Sequence, residues 1–259
     1  MREEKIFANN VQTNCKIVGS GPTLLILHGW GGSSDTWVKV IDILKTHFQI
    51  ICPDLPGFGK SSPPPFAWKL DDFKLWLNDI FNKFSIEKAI LLGHSFGGRV
   101  AVKFSLSFPE KVEILVLCAS AGIKTKMGIK ERIIFLSSFL GKKIFSFAPV
   151  SPFEGIARKV FYFVIRNKDY AKASKRMREI MKNVLKEDLL LELSQIKNKT
   201  IIFWGEKDKI LPLPQAYLFY RSILNSQLFI LPDIGHSPNL QNPKLFAEVL
   251  ISALKKELS

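Results

Sequence analysis

The chain has only three cysteines and does not begin with a segment that resembles a signal peptide. Both features argue against a secreted, disulfide-bonded protein. Its three cysteines, Cys15, Cys52 and Cys118, cannot all pair and lack C-x-x-C spacing. Cys52 and Cys118 end apolar runs, so we expect buried reduced thiols and a cytoplasmic protein. Residues 1–5 are charged, with no apolar stretch behind them, which is unlike a signal peptide.

Long apolar runs are absent as well. The longest, residues 133–140, contains two serines. It is far shorter than the ~20 residues that a membrane-spanning helix needs. The sequence therefore predicts a soluble protein.

Acidic residues are scarce: 23 Asp and Glu stand against 37 Lys and Arg, for a formal net charge of +14. Between residues 122 and 195, 16 basic residues accompany seven acidic ones. A cationic surface favours an acidic protein, anionic lipid or nucleic acid as partner, although a Lys-rich solvated surface explains the charge equally well. We expect no nucleic-acid binding, because the excess charge lies in an apolar segment without a recognition motif.

What the chain does have is an alternation of short apolar runs with amphipathic stretches. Most runs are apolar throughout, which is typical of strands covered on both faces in a parallel sheet. The predicted strands are residues 24–27, 48–52, 89–92, 113–117, 200–204 and 228–231. The predicted helices are residues 36–46, 71–84, 96–108, 214–223 and 243–258. This order predicts an α/β fold with a doubly wound, mostly parallel sheet flanked by helices.

One segment interrupts the alternation. Residues 123–195 show helical patterns and basic charge but no strand pattern. About seventy residues are far too many for a simple crossover loop. We predict an inserted helical cap over the carboxyl edge of the sheet, where open α/β folds bind ligands. The predicted domains are a core of residues 1–122 and 196–259 and a cap of residues 123–195.

The strongest functional motif is Gly-His-Ser-Phe-Gly-Gly at residues 93–98, between the third predicted strand and a helix. This is a G-x-S-x-G nucleophile elbow in its required context. The sharp turn strains Ser95, so its neighbours two positions away, Gly93 and Gly97, must carry almost no side chain. The turn exposes the Ser95 hydroxyl and places the Phe96 amide at a helix start, where unpaired N–H groups can receive an oxyanion.

A serine hydroxyl needs an adjacent base that an acid holds in place, and the chain has only four histidines. His28 begins a glycine-rich turn, His47 lies in a polar stretch and His94 lies inside the elbow. His236 follows the last predicted strand, so it is expected at the same sheet edge as the elbow. We therefore predict His236 as the base.

The acid that orients the base should also end a strand. Asp208 lies four residues beyond the end of the predicted strand 200–204, and the order Ser, Asp, His along the chain is typical of this fold. Asp208 is the first choice. Glu206, which is nearer the strand, and Asp233, which shares the loop of His236, remain alternatives.

A second oxyanion donor is expected in the loop after the first predicted strand, His-Gly-Trp-Gly-Gly-Ser-Ser at residues 28–34. Its glycines let a backbone amide turn toward a substrate oxygen. The Trp30 amide is the first choice and the Gly31 amide the second. The following turn, residues 53–61, is interpreted as structural, with Asp54 bracing neighbouring loops.

Five motifs resemble those of the α/β-hydrolase superfamily, in that family's order. They are His-Gly-Trp-Gly-Gly at 28–32, Pro-Asp-Leu-Pro-Gly-Phe-Gly-Lys-Ser at 53–61, Gly-His-Ser-Phe-Gly-Gly at 93–98, Trp-Gly-Glu-Lys-Asp at 204–208 and Gly-His at 235–236. They cover nearly the whole chain except the cap. The resemblance implies an eight-stranded sheet with a helical lid. It also implies Ser95 as nucleophile, His236 as base, Asp208 as orienting acid, and an oxyanion hole at Trp30 and Phe96.

The resemblance narrows the subfamily only in part. Haloalkane dehalogenases and epoxide hydrolases of this fold use an aspartate nucleophile, which Ser95 argues against. Carbon–carbon hydrolases of ring-cleavage products share a Gly-Gly-Arg like that at 97–99, but they commonly have Asn where this chain has His94. Carboxylesterases and acylglycerol lipases often have Gly-His-Ser. Esterases that demethylate a fatty precursor on acyl carrier protein dock that acidic partner on a basic lid, and Arg158, Arg166, Arg176 and Arg178 are candidates for such a surface.

Together these features predict a serine hydrolase that cleaves carboxylic esters with an apolar acyl or alcohol part through an acyl-enzyme. The expected substrate is a small apolar ester, with no metal or organic cofactor. An acidic carrier protein or an anionic lipid surface is a candidate partner for the basic cap. The alternative functions are a carbon–carbon hydrolase, an acyl-carrier-protein methyl ester esterase and a non-catalytic ligand receptor on the same fold.

Overall fold

A sheet of eight strands forms the centre of the structure, a computed structural model that describes residues 1–124 and 174–258. The strands are β1 (Arg2–Ala8), β2 (Val11–Val18), β3 (Thr23–Leu27), β4 (Gln49–Pro53), β5 (Ala89–His94), β6 (Val112–Cys118), β7 (Lys199–Gly205) and β8 (Ser226–Leu231). Their order across the sheet is β1-β2-β4-β3-β5-β6-β7-β8. β1, β2 and β4 pair antiparallel, and every pair from β4 to β8 is parallel. The predicted fold class is confirmed.

Helices connect the parallel strands. The α-helices are α1 (Val38–Leu44), α2 (Leu70–Lys83), α3 (Phe96–Ser107), α4 (Lys175–Lys186), α5 (Pro214–Ser222), α6 (Pro238–Gln241) and α7 (Pro243–Leu258). Short 3-10 segments cover Ser34–Trp37, Pro109–Lys111 and Leu193–Gln195. The helix that the sequence predicts over residues 36–46 is divided, since its first turn is 3-10 and α1 begins only at Val38.

The central strands are buried on both faces, which explains their continuous apolar runs. All six residues of β5 are buried. On one face of the sheet Trp37 packs edge-to-face on Phe246, with ring centroids 5.9 Å apart, and Phe246 packs on Phe203 at 5.3 Å. Complete burial of a side chain of this size contributes roughly 1.5–3 kcal/mol. The core therefore fixes the carboxyl ends of the strands, where the chemistry-bearing loops begin.

The β1–β2 hairpin was not among the strands predicted from apolar runs. Its turn uses Asn9 and Asn10 at φ 45° and 60°, which suits a two-residue hairpin. Polar side chains are buried in β2 because each has a specific partner: Asn14 donates to Asp54, and Lys16 pairs with Asp35 at 2.9 Å. A polar strand of this kind has no apolar signature, so only the tertiary contacts identify it.

The predicted cap falls largely on residues 125–173, which lie outside the described residues. Residues Met1–Ile123 and Lys175–Ser259 belong to one compact unit. Within this unit, α4 buries Met177, Ile180 and Val184. The boundaries of the cap stay a prediction. No helix in the described ranges has both the length and the apolarity required to cross a bilayer.

Candidate active site

The strand-turn-helix from β5 to α3 holds Ser95 in a strained conformation, as its motif predicts. Ser95 has φ 51° and ψ −111°, a region that costs a residue with a side chain roughly 1–3 kcal/mol. A Cβ at Gly93 would lie 2.5 Å from the Gly97 carbonyl oxygen, and one at Gly97 would collide with the Leu27 carbonyl. The two glycines are therefore required by close backbone contact.

Backbone hydrogen bonds keep the strained turn in place. The Ser95 amide donates to the Cys118 carbonyl at 3.1 Å, and the Ser95 carbonyl accepts from the amides of Gly98 and Ala121 at 3.0 Å each. Two of these partners belong to β6 and the loop after it. The elbow is thus tied to its neighbouring strand as well as to its own helix.

Three of the predicted site residues meet in space. Ser95 Oγ lies 3.0 Å from His236 Nε2, and His236 Nδ1 lies 2.8 Å from Asp208 Oδ2. The His236 side chain is 13% exposed and that of Asp208 is fully buried, so the carboxylate is shielded from solvent. Because a carboxylate only accepts hydrogen bonds, His236 carries its proton on Nδ1 and leaves Nε2 free to accept from Ser95.

Local backbone geometry selects Asp208 among the three acids that the sequence left open. Its Oδ1 accepts from the amides of Ile210 and Leu211 at 2.8 and 2.9 Å, which fixes the carboxylate and leaves Oδ2 for His236. Glu206 instead accepts from the Asp233 amide at 3.2 Å, and the Asp233 carboxylate pairs with Lys207. Both alternatives are exposed and engaged elsewhere.

His94, to which the sequence assigned no role, connects the elbow to the histidine loop. Its Nε2 lies 2.8 Å from the His236 carbonyl oxygen, so it must donate a proton there. Burial and the neighbouring His236 lower the pKa of His94 to about 3, so the ring is neutral. Its position next to Ser95 is the only signal that sequence reasoning could have used.

The predicted oxyanion donors lie beside the elbow. A Cβ at Gly29 would be 2.9 Å from His94 Nδ1 and 3.3 Å from Ser95 Cβ, so the loop after β3 passes directly against Ser95. The Trp30 and Phe96 rings are in edge contact at 5.2 Å. Within the described ranges, neither the Trp30 nor the Phe96 amide has a protein acceptor.

Asp54 braces this region, as the sequence indicated. Its Oδ1 accepts from the Ser34 amide at 2.6 Å, and its Oδ2 accepts from the Lys60 amide at 2.9 Å and from Asn14 Nδ2 at 3.2 Å. One buried carboxylate thus joins the loops after β3 and β4 to the edge hairpin.

An aromatic wall extends from these amides. It consists of Phe58, Trp30, Phe96, Phe73 and Trp68. Successive ring centroids are 4.9, 5.2, 5.1 and 5.1 Å apart. Phe73, Trp68 and Phe96 are buried, so these three rings belong to the core. Only Trp30 and Phe58 are partly exposed, and they provide apolar area beside the elbow.

The remaining polar chemistry is limited. The three cysteines are free and buried, as expected, and burial raises the pKa of each thiol. Among the residues described, no cluster of three or more His, Cys, Asp or Glu side chains is arranged to hold a metal ion.

Comparison with known proteins gives this geometry its context. The family model of the alpha/beta hydrolase fold matches residues 22–137. The pimeloyl-[acyl-carrier protein] methyl ester esterase of Wigglesworthia glossinidia brevipalpis is 30% identical, over 93% of this chain and 97% of that protein. The chain belongs to the α/β-hydrolase family. Its hydrolase relatives support an enzyme of the hydrolase class.

Two further matches show how varied the relatives of this α/β-hydrolase are. The 2-hydroxy-6-oxo-6-(2'-aminophenyl)hexa-2,4-dienoic acid hydrolase of Metapseudomonas resinovorans is 26% identical, over 98% of this chain and 91% of that protein. A bacterial membrane phospholipase A has a similar crystal structure, with a TM-score of 0.80 and 21% identity over 100% of this chain and 87% of that one. At this identity the structural likeness establishes the fold alone.

Proposed function

We propose that this α/β-hydrolase is a serine hydrolase that cleaves carboxylic esters with an apolar acyl or alcohol part. The observation that carries the proposal is the pair of contacts from Ser95 Oγ to His236 Nε2, 3.0 Å, and from His236 Nδ1 to Asp208 Oδ2, 2.8 Å. A nucleophile, a base and an orienting acid in this arrangement are what acyl transfer through a covalent intermediate requires.

The contacts support a direct sequence of steps. Ser95 Oγ attacks the ester carbonyl carbon while His236 Nε2 takes the hydroxyl proton. The tetrahedral intermediate places its negative oxygen at the Trp30 and Phe96 amides, and Asp208 stabilises the imidazolium. The intermediate then expels the alcohol, which receives the proton from His236.

Deacylation repeats these steps with water as the nucleophile. His236 removes a proton from the water as it attacks the acyl carbon, and then returns that proton to Ser95 Oγ as the carboxylic acid leaves. The partly exposed rings of Trp30 and Phe58 beside the amides support an apolar substrate, since aromatic rings can shelter an alkyl or aryl group from water.

The test is a panel of p-nitrophenyl esters of graded chain length. For Ser95→Ala we expect kcat to be several orders of magnitude lower than that of the wild-type protein, measured with the ester that the wild-type protein prefers. Ser107→Ala is the matched control, because Ser107 is exposed at the other end of α3. Hydrolysis that survives Ser95→Ala would exclude Ser95 as the nucleophile.

A fluorophosphonate probe separates this enzyme from a non-catalytic receptor on the same fold. The probe requires an activated serine and an oxyanion site. We expect rapid labelling of the wild-type protein and of Ser107→Ala, and none of Ser95→Ala. Absence of labelling in the wild-type protein would favour the receptor.

A carrier-linked methyl ester is a second candidate substrate, which the 30% identical esterase favours. Exposed cations lie along α4: Lys175, Arg178, Lys182 and Lys186. Of the other arginines proposed from the sequence, Arg176 donates to the Pro64 carbonyl at 2.9 Å, and Arg158 and Arg166 lie outside the described residues.

If a carrier binds α4, the double variant R178E/K182E should raise KM for a carrier-linked ester and leave KM for small esters unchanged. The exposed Lys39→Glu on α1 is the control.

Carbon–carbon hydrolysis is the third possibility, and one structural contact bears on it. Arg99, which completes the Gly-Gly-Arg shared with those enzymes, donates from Nη1 to the carbonyls of Val184 and Glu187 at 2.9 and 3.0 Å. Its guanidinium therefore has a structural use that is independent of substrate. A ring-cleavage product belongs in the panel, and turnover of it above that of the esters would replace our assignment.

A further inference from the structure

His28 is a fully buried histidine outside the contacts of Ser95, His236 and Asp208, and both of its ring nitrogens bind backbone. Its Nε2 lies 2.8 Å from the Leu55 amide nitrogen, and its Nδ1 lies 2.8 Å from the Gly29 carbonyl oxygen. An amide can only donate and a carbonyl can only accept. The ring must therefore be neutral, with its proton on Nδ1.

Burial reinforces this state. It lowers the pKa of His28 to about 4, against the raising effects of the Gly29 hydrogen bond and the Asp54 charge. The Nδ1–H donor is consequently present throughout the neutral range.

The Gly29 carbonyl is held from two sides. It accepts from His28 Nδ1, and it also accepts from the Gly32 amide at 3.0 Å. This oxygen shares one planar trans peptide unit with the Trp30 amide, because the C=O of one residue and the N–H of the next are rigidly coupled. In a trans peptide the two groups point in opposite directions. Whatever fixes the Gly29 oxygen therefore fixes the direction of the Trp30 N–H.

That peptide unit lies beside the nucleophile. The Gly29 Cα is so close to the elbow that an added Cβ would be 3.3 Å from Ser95 Cβ. The Trp30 amide is left without a protein acceptor among the described residues. A rotation of the peptide by a few tens of degrees would turn this donor away from a developing oxyanion.

From these contacts we propose that His28 is a positioning residue that aims the Trp30 amide at the substrate oxyanion. The inference rests on the proposed function, because an oxyanion forms only if Ser95 attacks an ester carbonyl. His28 does not touch the reacting atoms. It acts through the Gly29–Trp30 peptide.

A purely structural role is the competing explanation, since His28 also ties the loop after β3 to Leu55 in the loop after β4. Two substitutions separate the two bonds. The side-chain amide of Asn matches the position of Nδ1, so His28→Asn can still donate to the Gly29 carbonyl but cannot reach Leu55. The side-chain amide of Gln matches the position of Nε2, so His28→Gln can still accept from Leu55 but cannot hold the Gly29 carbonyl.

We expect His28→Gln to lower kcat by about 10- to 100-fold with little change in KM, which is less than the full loss of one oxyanion donor because the Gly32 amide still holds the carbonyl. His28→Asn should keep kcat within a few fold of wild type. Binding of a trifluoromethyl ketone, whose adduct carries an oxyanion, should weaken in parallel with kcat. His47→Gln, at an exposed histidine, should change none of these.

The opposite results are equally clear. Equal kcat for His28→Asn and His28→Gln, or a larger loss for His28→Asn, would overturn the positioning role. If Ser95→Ala abolishes hydrolysis while the two His28 variants behave alike, only the His28 assignment fails. If hydrolysis does not depend on Ser95, the proposed function and this inference fail together.

A measurement on the wild-type protein guards against variants that do not fold. Nitrogen-15 NMR of labelled histidine should show His28 as the neutral Nδ1–H tautomer from pH 8 to pH 6. The other neutral tautomer or a charged ring would be incompatible with the bond to the Gly29 carbonyl, and would overturn the proposal without any substitution.

Discussion

The elbow around Ser95 and the two loops that carry Asp208 and His236 form one site, but they are held in different ways. The elbow is held by steric contact, with Gly93 and Gly97 packed directly on neighbouring backbone. The later loops share such contact, since Gly205 at the end of β7 packs on the backbone of Ile234 and Gly235. They depend in addition on hydrogen bonds that involve side chains, from backbone amides to Asp208 and from His94 to the carbonyl of His236. Substitutions at the elbow glycines Gly93 and Gly97 should therefore damage the fold, whereas substitution of the polar side chain of Asp208 should damage activity and leave the fold intact.

The largest effect is expected in the loops, from Asp208→Asn. The amide can still accept from Ile210 and Leu211, but it no longer fixes His236 in the Nδ1–H tautomer or stabilises its charge. We expect kcat to fall by about 10⁴-fold, the size of loss seen when a triad acid becomes an amide, while Tm changes little. Asp233→Asn, at an exposed neighbour, should retain activity, and comparable losses in both variants would show that Asp208 has no special role.

The next effect should appear in the elbow, as lost stability. A Cβ in Gly97→Ala would collide with the carbonyl oxygens of Leu27 and His28, so β3 or α3 must move. We expect a loss of about 3 kcal/mol or more in the free energy of unfolding, measured by urea denaturation.

Gly235→Ala is the matched control in the histidine loop. Its nearest neighbour is the end of the Gln241 side chain at 3.1 Å, which can move. If both alanine variants destabilise the protein equally, close backbone contact is not what makes Gly97 necessary.

Low pH should reduce the free energy of unfolding, because His28 and His94 are buried as neutral rings. The pKa values of His28 and His94 are lowered to about 4 and about 3 from an ordinary 6.5. Below pH 6.5 the unfolded chain binds protons that the folded chain excludes, so stability falls as the pH is lowered toward these values and levels off only below them. Between pH 7 and pH 5 each histidine should account for a loss of about 2 kcal/mol.

Denaturation of the wild-type protein at a series of pH values, with His28→Asn compared at each, measures this loss. The variant lacks one buried imidazole and should show a shallower fall with pH. The exposed His47→Asn should follow the wild-type curve. Identical curves for all three proteins would show that His28 binds protons equally in the folded and unfolded states.

The smallest effect is expected at His94, which connects the elbow to the loop of His236. His94→Ala removes the donor to the His236 carbonyl and should lower kcat by about tenfold, with KM nearly unchanged. His94→Gln places an amide donor near the position of Nε2 and should recover part of that loss. A Gln variant no better than the Ala variant would mean that packing, and not this hydrogen bond, is what His94 supplies.

Much of the architecture was predictable because its causes are local. Each parallel strand contains a continuous apolar run, and the runs locate the strands to within two residues at each end. The polar β1 and β2 were not, because Lys16 and Asn14 are buried by partners distant in sequence. The domain boundaries of the cap remain a prediction.

The candidate site likewise has one part that the sequence predicts and one part that only the structure identifies. The elbow could be identified from residues 93–98 alone, because the small residues that the turn requires all lie within this short segment. The choice of Asp208 over Glu206 and Asp233 needed the structure, since it depends on which carboxylate the amides of Ile210 and Leu211 turn toward His236.

By itself, the sequence determined the order of the six parallel strands, the strained turn at Ser95 and the short set of histidines and acids that could serve it. Only the tertiary structure decided which of them meet, and it gave buried positions to His28, His94 and Arg99 that no motif had explained. The physical reason is the separation along the chain of the residues that interact. Backbone sterics and apolar periodicity act between near neighbours in the chain, whereas hydrogen bonds between buried polar groups depend on segments that folding alone brings together.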